Sequence, residues 1–295
     1  MLVIVGFVIV LVGVIGGYLM AGGALGVLNQ PSEFLVIGGA AIGSLLVSTP
    51  ARVLAATVAQ TKNALSGAGA TRQDYVDLLS LQFQLFKLVQ QSGAMALETH
   101  FENPNDSPIL SRYPKFLARH DAVDFLADSA KVIIIGGISP HDLEALMDED
   151  LNVHHETALR PSQALAKIGD ALPGLGIVAA VLGIVITMGH VDGEPAEIGH
   201  HVGAALVGTF LGILLSYGFV QPLSANLEGR VSDDGYYCLC IKAGLLALYK
   251  GNPPAIAIEF ARRVLPHHVR PSFDETEKFC RASSLKEHHP EELAA

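Results

Sequence analysis

The chain has 295 residues, half of them hydrophobic and 16% charged, with 30 glycines, a formal net charge of −10 and a mean hydropathy of +0.41. That balance excludes an ordinary soluble domain and fits apolar membrane segments joined to charged ones. The acidic charge weighs against a nucleic-acid partner.

Residues 1–21 form an apolar run without a charge, and residues 34–49 form a second. Between them GGALGVLNQPSE holds turn formers and the lone charge Glu33, and is read as a connector. The first run spans the ~20 residues a membrane helix needs and lacks a basic flank, so it is read as a retained helix rather than a signal peptide.

Residues 52–167 are polar and long enough for a packed helical domain. Within them, residues 74–91 place Tyr75, Leu78, Leu79, Phe83, Phe86 and Val89 on one helical stripe. The polar string NPNDSP at 103–108 breaks the pattern. Residues 111–131 and 140–157 are expected to be further helices, the second opening on Ser139-Pro140 as cap and first-turn residue. The string VIII at 132–135 fits a buried strand or a helix end, and the helical surroundings favour the helix.

Residues 169–222 read GDALPGLGIVAAVLGIVITMGH, then VDGEPAEIGH, then HVGAALVGTFLGILLSYGFVQP. Each apolar run has the length of a bilayer crossing and the connector is too short for a domain, so the stretch is a hairpin of two antiparallel membrane helices in contact. From 172 to 189 and from 202 to 221 there is no Asp, Glu, Lys or Arg; the polar groups are Thr187, Thr209, Ser216 and Tyr217. Ion paths usually carry a buried, paired ionisable side chain. Either the chain moves no ions or a second polypeptide brings the carboxylate. Gly13/Gly17, Gly39/Gly43 and Gly208/Gly212 all have the small-xxx-small spacing of helix contacts in lipid.

After Pro222, residues 231–250 are amphipathic and too charged to span, 252–254 stop that helix, 255–265 make a short one, and 281–295 are read as a disordered polar tail. All 19 Lys and Arg fall in two segments, 10 within 52–167 and 9 after 225, which puts both on the cytoplasmic side. The expected architecture is an all-α membrane protein with four transmembrane helices and a large cytoplasmic helical domain. Residues 1–51 hold the first two helices and a short periplasmic connector, 52–168 the cytoplasmic domain, 169–224 the third and fourth helices, and 225–295 C-terminal helices and tail. Both termini are cytoplasmic.

Cys238, Cys240 and Cys280 are expected to be reduced core thiols, since C-x-C lacks zinc-ligand spacing. The adjacent pairs His154/His155, His267/His268 and His288/His289 do not share a helix face as metal ligands would. His190 and His200/His201 border the outer connector with Asp192, Glu194 and Glu197, where imidazoles would respond to external pH. Phosphate-loop and nucleophile-elbow motifs are absent, so no enzyme is expected.

The strings GGYLMAGGALGVLNQPSE, LPGLGIVAAVLGIV, VGTFLGILLSYGFVQPL, PPAIAIEFARR and RPSF, with the two-plus-two layout of spans, resemble the MotA family, the A subunits of the bacterial flagellar stator, within the MotA/TolQ/ExbB superfamily. The resemblance implies a subunit of the bacterial inner membrane that forms a ring of five around two copies of a B subunit, whose single helix brings the ion-accepting Asp. It implies no cofactor, and torque passed to the rotor switch-ring protein FliG. Pro173 and Pro222 match prolines that couple ion binding to movement, and Thr209 matches a hydroxyl lining the ion path. Ala180 stands where sodium-driven relatives carry a Thr, which favours H+ over Na+. Glu98 matches an acidic rotor contact. Gln90 replaces the usual basic partner position, and Lys87 offers a charge one turn earlier. The alternatives are an ExbB- or TolQ-like energising subunit, which has three spans, and a non-conducting membrane scaffold.

Overall fold

The computed structural model of the chain describes residues 2–67, 69–189 and 194–288, with side chains described as far as residue 280. Among these every regular element is helical. In chain order they are α1 (Leu2–Met20), α2 (Leu25–Leu28), α3 (Pro31–Ser48), α4 (Ala51–Ser66), α5 (Arg72–Ser92), α6 (Glu98–Glu102), α7 (Pro114–Leu117), α8 (His120–Ile135), α9 (Pro140–Met188) and α10 (Pro195–Leu215). A single π turn (Ser216–Val220) then leads into α11 (Gln221–Tyr249), followed by α12 (Pro254–Arg263) and α13 (Phe273–His288).

Among the described residues, four stretches are long and apolar enough to cross a membrane, lying within Leu2–Met20, Leu25–Ser48, Pro140–Met188 and Pro195–Tyr249. The protein is an all-α membrane protein with four such helices and a large helical portion outside them. The string at 132–135 is the end of α8, as its helical company suggested.

Several boundaries differ from the sequence expectations. The helix expected at 140–157 does not stop before the third span: α9 continues for 49 residues through Pro161 and Pro173. Each proline removes only one backbone donor, and the helix continues through both, even where Gly174 follows Pro173. Residues 111–119 form only short turns, because Pro114 restarts the chain and Arg119 leaves helical geometry before α8 begins at His120. The tail expected to be disordered from 281 is helical to His288. Glu33, expected in the connector, lies in the first turn of α3, since Pro31 occupies the first helical position where its missing N–H is harmless. His190, Asp192 and His289 lie outside the described residues.

The chain divides into two compact units, Met1–Ala68 with Thr157–Val231, and Gly69–Glu156 with Ser232–Ala295. In the first, Ile37, Ala41, Ile168, Leu172, Ala179, Val207 and Leu211 form the core. At one end of this unit polar contacts tie its helices: Gln60 donates to the Ala158 carbonyl at 3.2 Å, Ser224 to Ser162 O at 2.7 Å, and Arg230 to Ala64 O at 3.3 Å.

The second unit is built around α5. Thr71 and Asp74 form a capping box at its start, and the Lys115 ammonium reaches Asp74 Oδ1 at 2.9 Å. Burial works to raise the Asp74 carboxyl, but the Thr71 backbone and hydroxyl and the Lys115 charge outweigh it and leave it below the usual Asp range. Every residue from Asp74 to Phe86 except Asp77 is buried, so α5 packs on all sides rather than along the single stripe its periodicity suggested. Some of its internal polar groups find partners: Gln84 donates to Tyr113 OH at 2.6 Å, and Tyr75 OH to the Asp233 carbonyl at 3.2 Å, while Gln82 Oε1 and Gln84 Oε1 are buried without a partner among the described residues. Cys238, Cys240 and Cys280 are buried thiols, each pushed up to about 12 by burial, and so are held protonated. Ser139 caps α9 as expected, accepting from Asp142 N at 3.1 Å.

On α12, Glu259 receives Arg262 at 2.7 Å and Arg263 at 2.6 Å. Arg262 also donates to Pro271 O at 2.9 Å, fastening the loop before α13. The Arg262 guanidinium, with Arg263, holds Glu259 down to about 2 from its ordinary 4.5. A depressed carboxylate stabilises the fold fully above its unfolded value and loses that contribution as pH falls through the folded one. Wild type should therefore lose stability between about pH 4.5 and 2. Glu259→Gln should be less stable near neutrality and flatter across that window, measured by circular dichroism of the detergent-solubilised protein against pH.

Candidate functional site

The candidate residues of the spans fall where α9 and α10 meet. Gly169, Gly176 and Gly183 recur every seven residues on α9; Ala205, Gly208 and Gly212 of α10 face the last two, and Val220 and Gln221, beyond the end of α10, face Gly169. A methyl group on Gly176 would stand 2.7 Å from Gly208 O and 3.3 Å from Thr209 Cα. One on Gly212 would stand 2.5 Å from Leu172 O and 2.8 Å from Gly176 Cα. One on Gly183 would stand 2.7 Å from Ala205 Cβ. Side-chain carbons essentially never approach so closely, so the two backbones touch here only because these residues lack Cβ atoms. Of the three small-xxx-small pairs in the sequence, Gly208/Gly212 lies at this seam, whereas among the described residues nothing beyond the local helix backbone lies within 4 Å of a methyl built on Gly13, Gly17, Gly39 or Gly43.

Thr209 and Ala180, both half-buried, are brought together by the seam: the Thr209 backbone packs on Gly176, and the Ala180 amide lies 3.2 Å from a methyl built on Gly208. Thr187 is fully buried and bonds back to Gly183 O at 2.8 Å, so its hydroxyl is committed to its own helix.

Pro173 and Pro222 flank the other end. Pro222 has no N–H for the Gly218 carbonyl and its ring would crowd it, and the helix widens into the π turn that ends two residues before it, at Val220. Ser216 opens that turn, is fully buried, and donates to Gly169 O at 2.6 Å. Gln221 closes it, donating to Asp170 Oδ1 at 2.8 Å. The π turn is thus pinned to α9 three to four residues before Pro173. Phe219 also packs against Phe7 of α1, ring centres 5.0 Å apart.

The remaining candidates belong to the second unit. Gln90 is exposed near the end of α5; Gly93, at φ 79°, turns the chain back along α5; and Glu98 opens α6, also exposed. Lys87 is half-buried with its ammonium 5.2 Å from the centre of the Phe83 ring. A cation over an aromatic face is held there electrostatically, so Lys87 does not stand as freely as a solvated surface lysine.

Sequence reasoning missed Glu33. It is 8% exposed, its Oε2 has no hydrogen-bond partner among the described residues, and a methyl on Gly208 would collide with that oxygen. The available signal was Gln30-Pro31: a proline at the first helical position places Glu33 inside the helix.

The fold and this seam define a helical membrane protein whose central feature is a glycine-packed pair of spans. Residues 4–93 match the family model "Motility protein A N-terminal", and residues 119–234 match "MotA/TolQ/ExbB proton channel family". The chain is 42% identical to motility protein A of Escherichia coli K12 over 282 residues, 96% of each chain. It is 38% identical to chemotaxis protein LafT of Vibrio parahaemolyticus, over 93% of this chain and 96% of that one. It superimposes on the C. jejuni MotAB structure with a TM-score of 0.73 at 19% identity, covering 90% of this chain and 95% of that one. The Bacillus subtilis flagellar MotAB stator complex gives 0.67 at 20% identity, covering 93% and 98%. The chain belongs to the motility protein A family.

Overpacking a close helix contact costs about 1–3 kcal/mol. Gly212→Val should therefore lower the thermal midpoint of the purified protein. Gly229→Val on α11, with open space around it, should not.

Proposed function

We propose that the chain is the ion-conducting, torque-generating stator subunit of a bacterial flagellar motor. The observation that carries this reading is the 42% identity to a motility protein A across 96% of both chains. It acts in the bacterial inner membrane, surrounded by lipid, with both termini cytoplasmic. Two copies of a MotB-type B subunit bring the ion-accepting Asp, which matches the lack of acids along the α9 and α10 spans between 172–189 and 202–221. Five copies of the chain ring them.

Thr209 and Ala180 then line the wall facing that Asp. Ala180 offers no side-chain oxygen; a bare sodium ion needs several oxygen ligands, whereas a proton needs only the carboxylate, so protons are the carried ion. Pro173 and Pro222 act as coupling elements, a role supported by the π turn and its bonds to Gly169 and Asp170. The free energy comes from the ion gradient, about 2.3 kcal/mol per charge per 100 mV. Glu98 and Gln90 present the exposed contact for FliG, while Lys87 lends its charge from beside Phe83. No cofactor or metal takes part.

The test is swimming speed and rotor torque in a motor-competent strain lacking its own stators, given this chain and its B partner, with sodium varied at fixed proton-motive force. Motility independent of sodium supports the proton-driven stator, and motility that tracks sodium overturns the ion assignment. Pro173→Ala and Thr209→Ala should each assemble in the membrane yet lose torque. Full torque in both variants would contradict the roles given to these residues, and no rescue by assembled wild type would shift the reading to an uptake-type subunit or a scaffold.

A further inference from the structure

Glu33 is a carboxyl that the reading above does not use. It stands in the first turn of α3, with its side chain against the α9–α10 seam. Its nearest neighbours there are small: a methyl on Gly208 would strike Oε2, and a methyl on Gly183 would lie 3.6 Å from Oε1. The same Gly208 position looks onto Ala179 Cβ at 3.1 Å and the Ala180 amide at 3.2 Å. The niche therefore exists because residues 183 and 208 are glycines, and it opens beside Ala180 and Thr209.

An ionised carboxylate out of water with an unpartnered oxygen is strongly unfavourable, and a bound proton or cation removes that penalty. Gly183, Ala205 and Gly208 bring no side-chain oxygen to complete a metal-ion shell, and the Thr187 hydroxyl is bonded to Gly183 O. No residue of α9 or α10 shown against Glu33 is titratable; Glu197, His200 and His201 lie in the first two turns of α10, before the niche. A proton is the occupant this chemistry fits.

We propose that Glu33 is a reversible proton-binding site that this chain itself contributes, beside the ion path assigned above and resting on that assignment. A proton from water adds to a carboxylate oxygen of Glu33, forming an O–H bond. Release to an acceptor breaks that bond and restores the carboxylate, with no change of oxidation state. The conducting complex then holds one protonatable carboxyl per copy of this chain in addition to those of its partner.

The experiment is infrared pH-difference spectroscopy of the full chain in lipid vesicles. A carboxylic C=O band, displaced from that of water-exposed carboxyls, is expected in wild type, shifted by ¹³C-glutamate labelling and lost in Glu33→Gln. A wild-type spectrum without a glutamate-labelled band of this kind overturns the proposal and needs no substitution to be read, as does a band that survives Glu33→Gln. With the B partner, proton flux through Glu33→Gln should fall and its pH profile change, while Glu33→Asp recovers part of both. Unchanged flux and profile in assembled Glu33→Gln would reduce Glu33 to packing and end the proposal. Failure of wild type to drive motility would strike the stator reading and leave the infrared result standing.

Discussion

The contact between the α9 and α10 backbones is the constraint on which the membrane portion depends. In lipid, apolar side chains gain little by leaving one set of hydrocarbon neighbours for another, so helix pairs rely on close packing. Gly176 and Gly212 supply that closeness, with each position facing backbone atoms of the other helix. Such a contact fixes rotation and register together, because turning either helix would bring a side chain into the gap. Thr209, Ala180 and the glycine niche around Glu33 owe their placement to this register.

At the other end of the same pair, the geometry loosens by design. The π turn at Ser216–Val220 is irregular backbone separated from Pro222 by Gln221 alone, held by two bonds from Ser216 and Gln221 to α9. A π turn is wider than the α-helix on either side of it, and its two bonds fix where that widening sits against α9. The tight glycine contact and the anchored π turn give the hairpin one end of close backbone packing and one of irregular backbone.

The second unit follows the rules of a water-soluble core. α5 is enclosed by apolar neighbours, the side-chain amides of its buried Gln82 and Gln84 donate to Cys240 Sγ and Tyr113 OH, and the unit's cysteines stay protonated thiols. Charge pairs lie at its rim: Arg119 bonds Asp234 at 3.1 Å while stacking over Tyr237, and Lys250 meets Glu144 at 2.9 Å. Exposed pairs of this kind contribute little stability each, so the fold of this unit rests on its core.

The sequence by itself determined the helical class, the four spans and the hairpin, because apolar run length and the distribution of Lys and Arg are properties of the chain alone. It also determined the Ser139-Pro140 start of α9 and that α5 is a helix, since caps and periodicity are local. Only the tertiary structure decided that Gly208/Gly212 is a contact while the two other glycine pairs stand open within this chain, because the spacing is the same in all three and the neighbour differs. It alone decided that α5 is buried all round, that α9 runs unbroken through two prolines, and that Glu33 is enclosed rather than displayed. A lone acid beside a turn reads as solvated in sequence; the approach of Gly183 and Gly208, some 150 or more residues away in the chain, removes it from water.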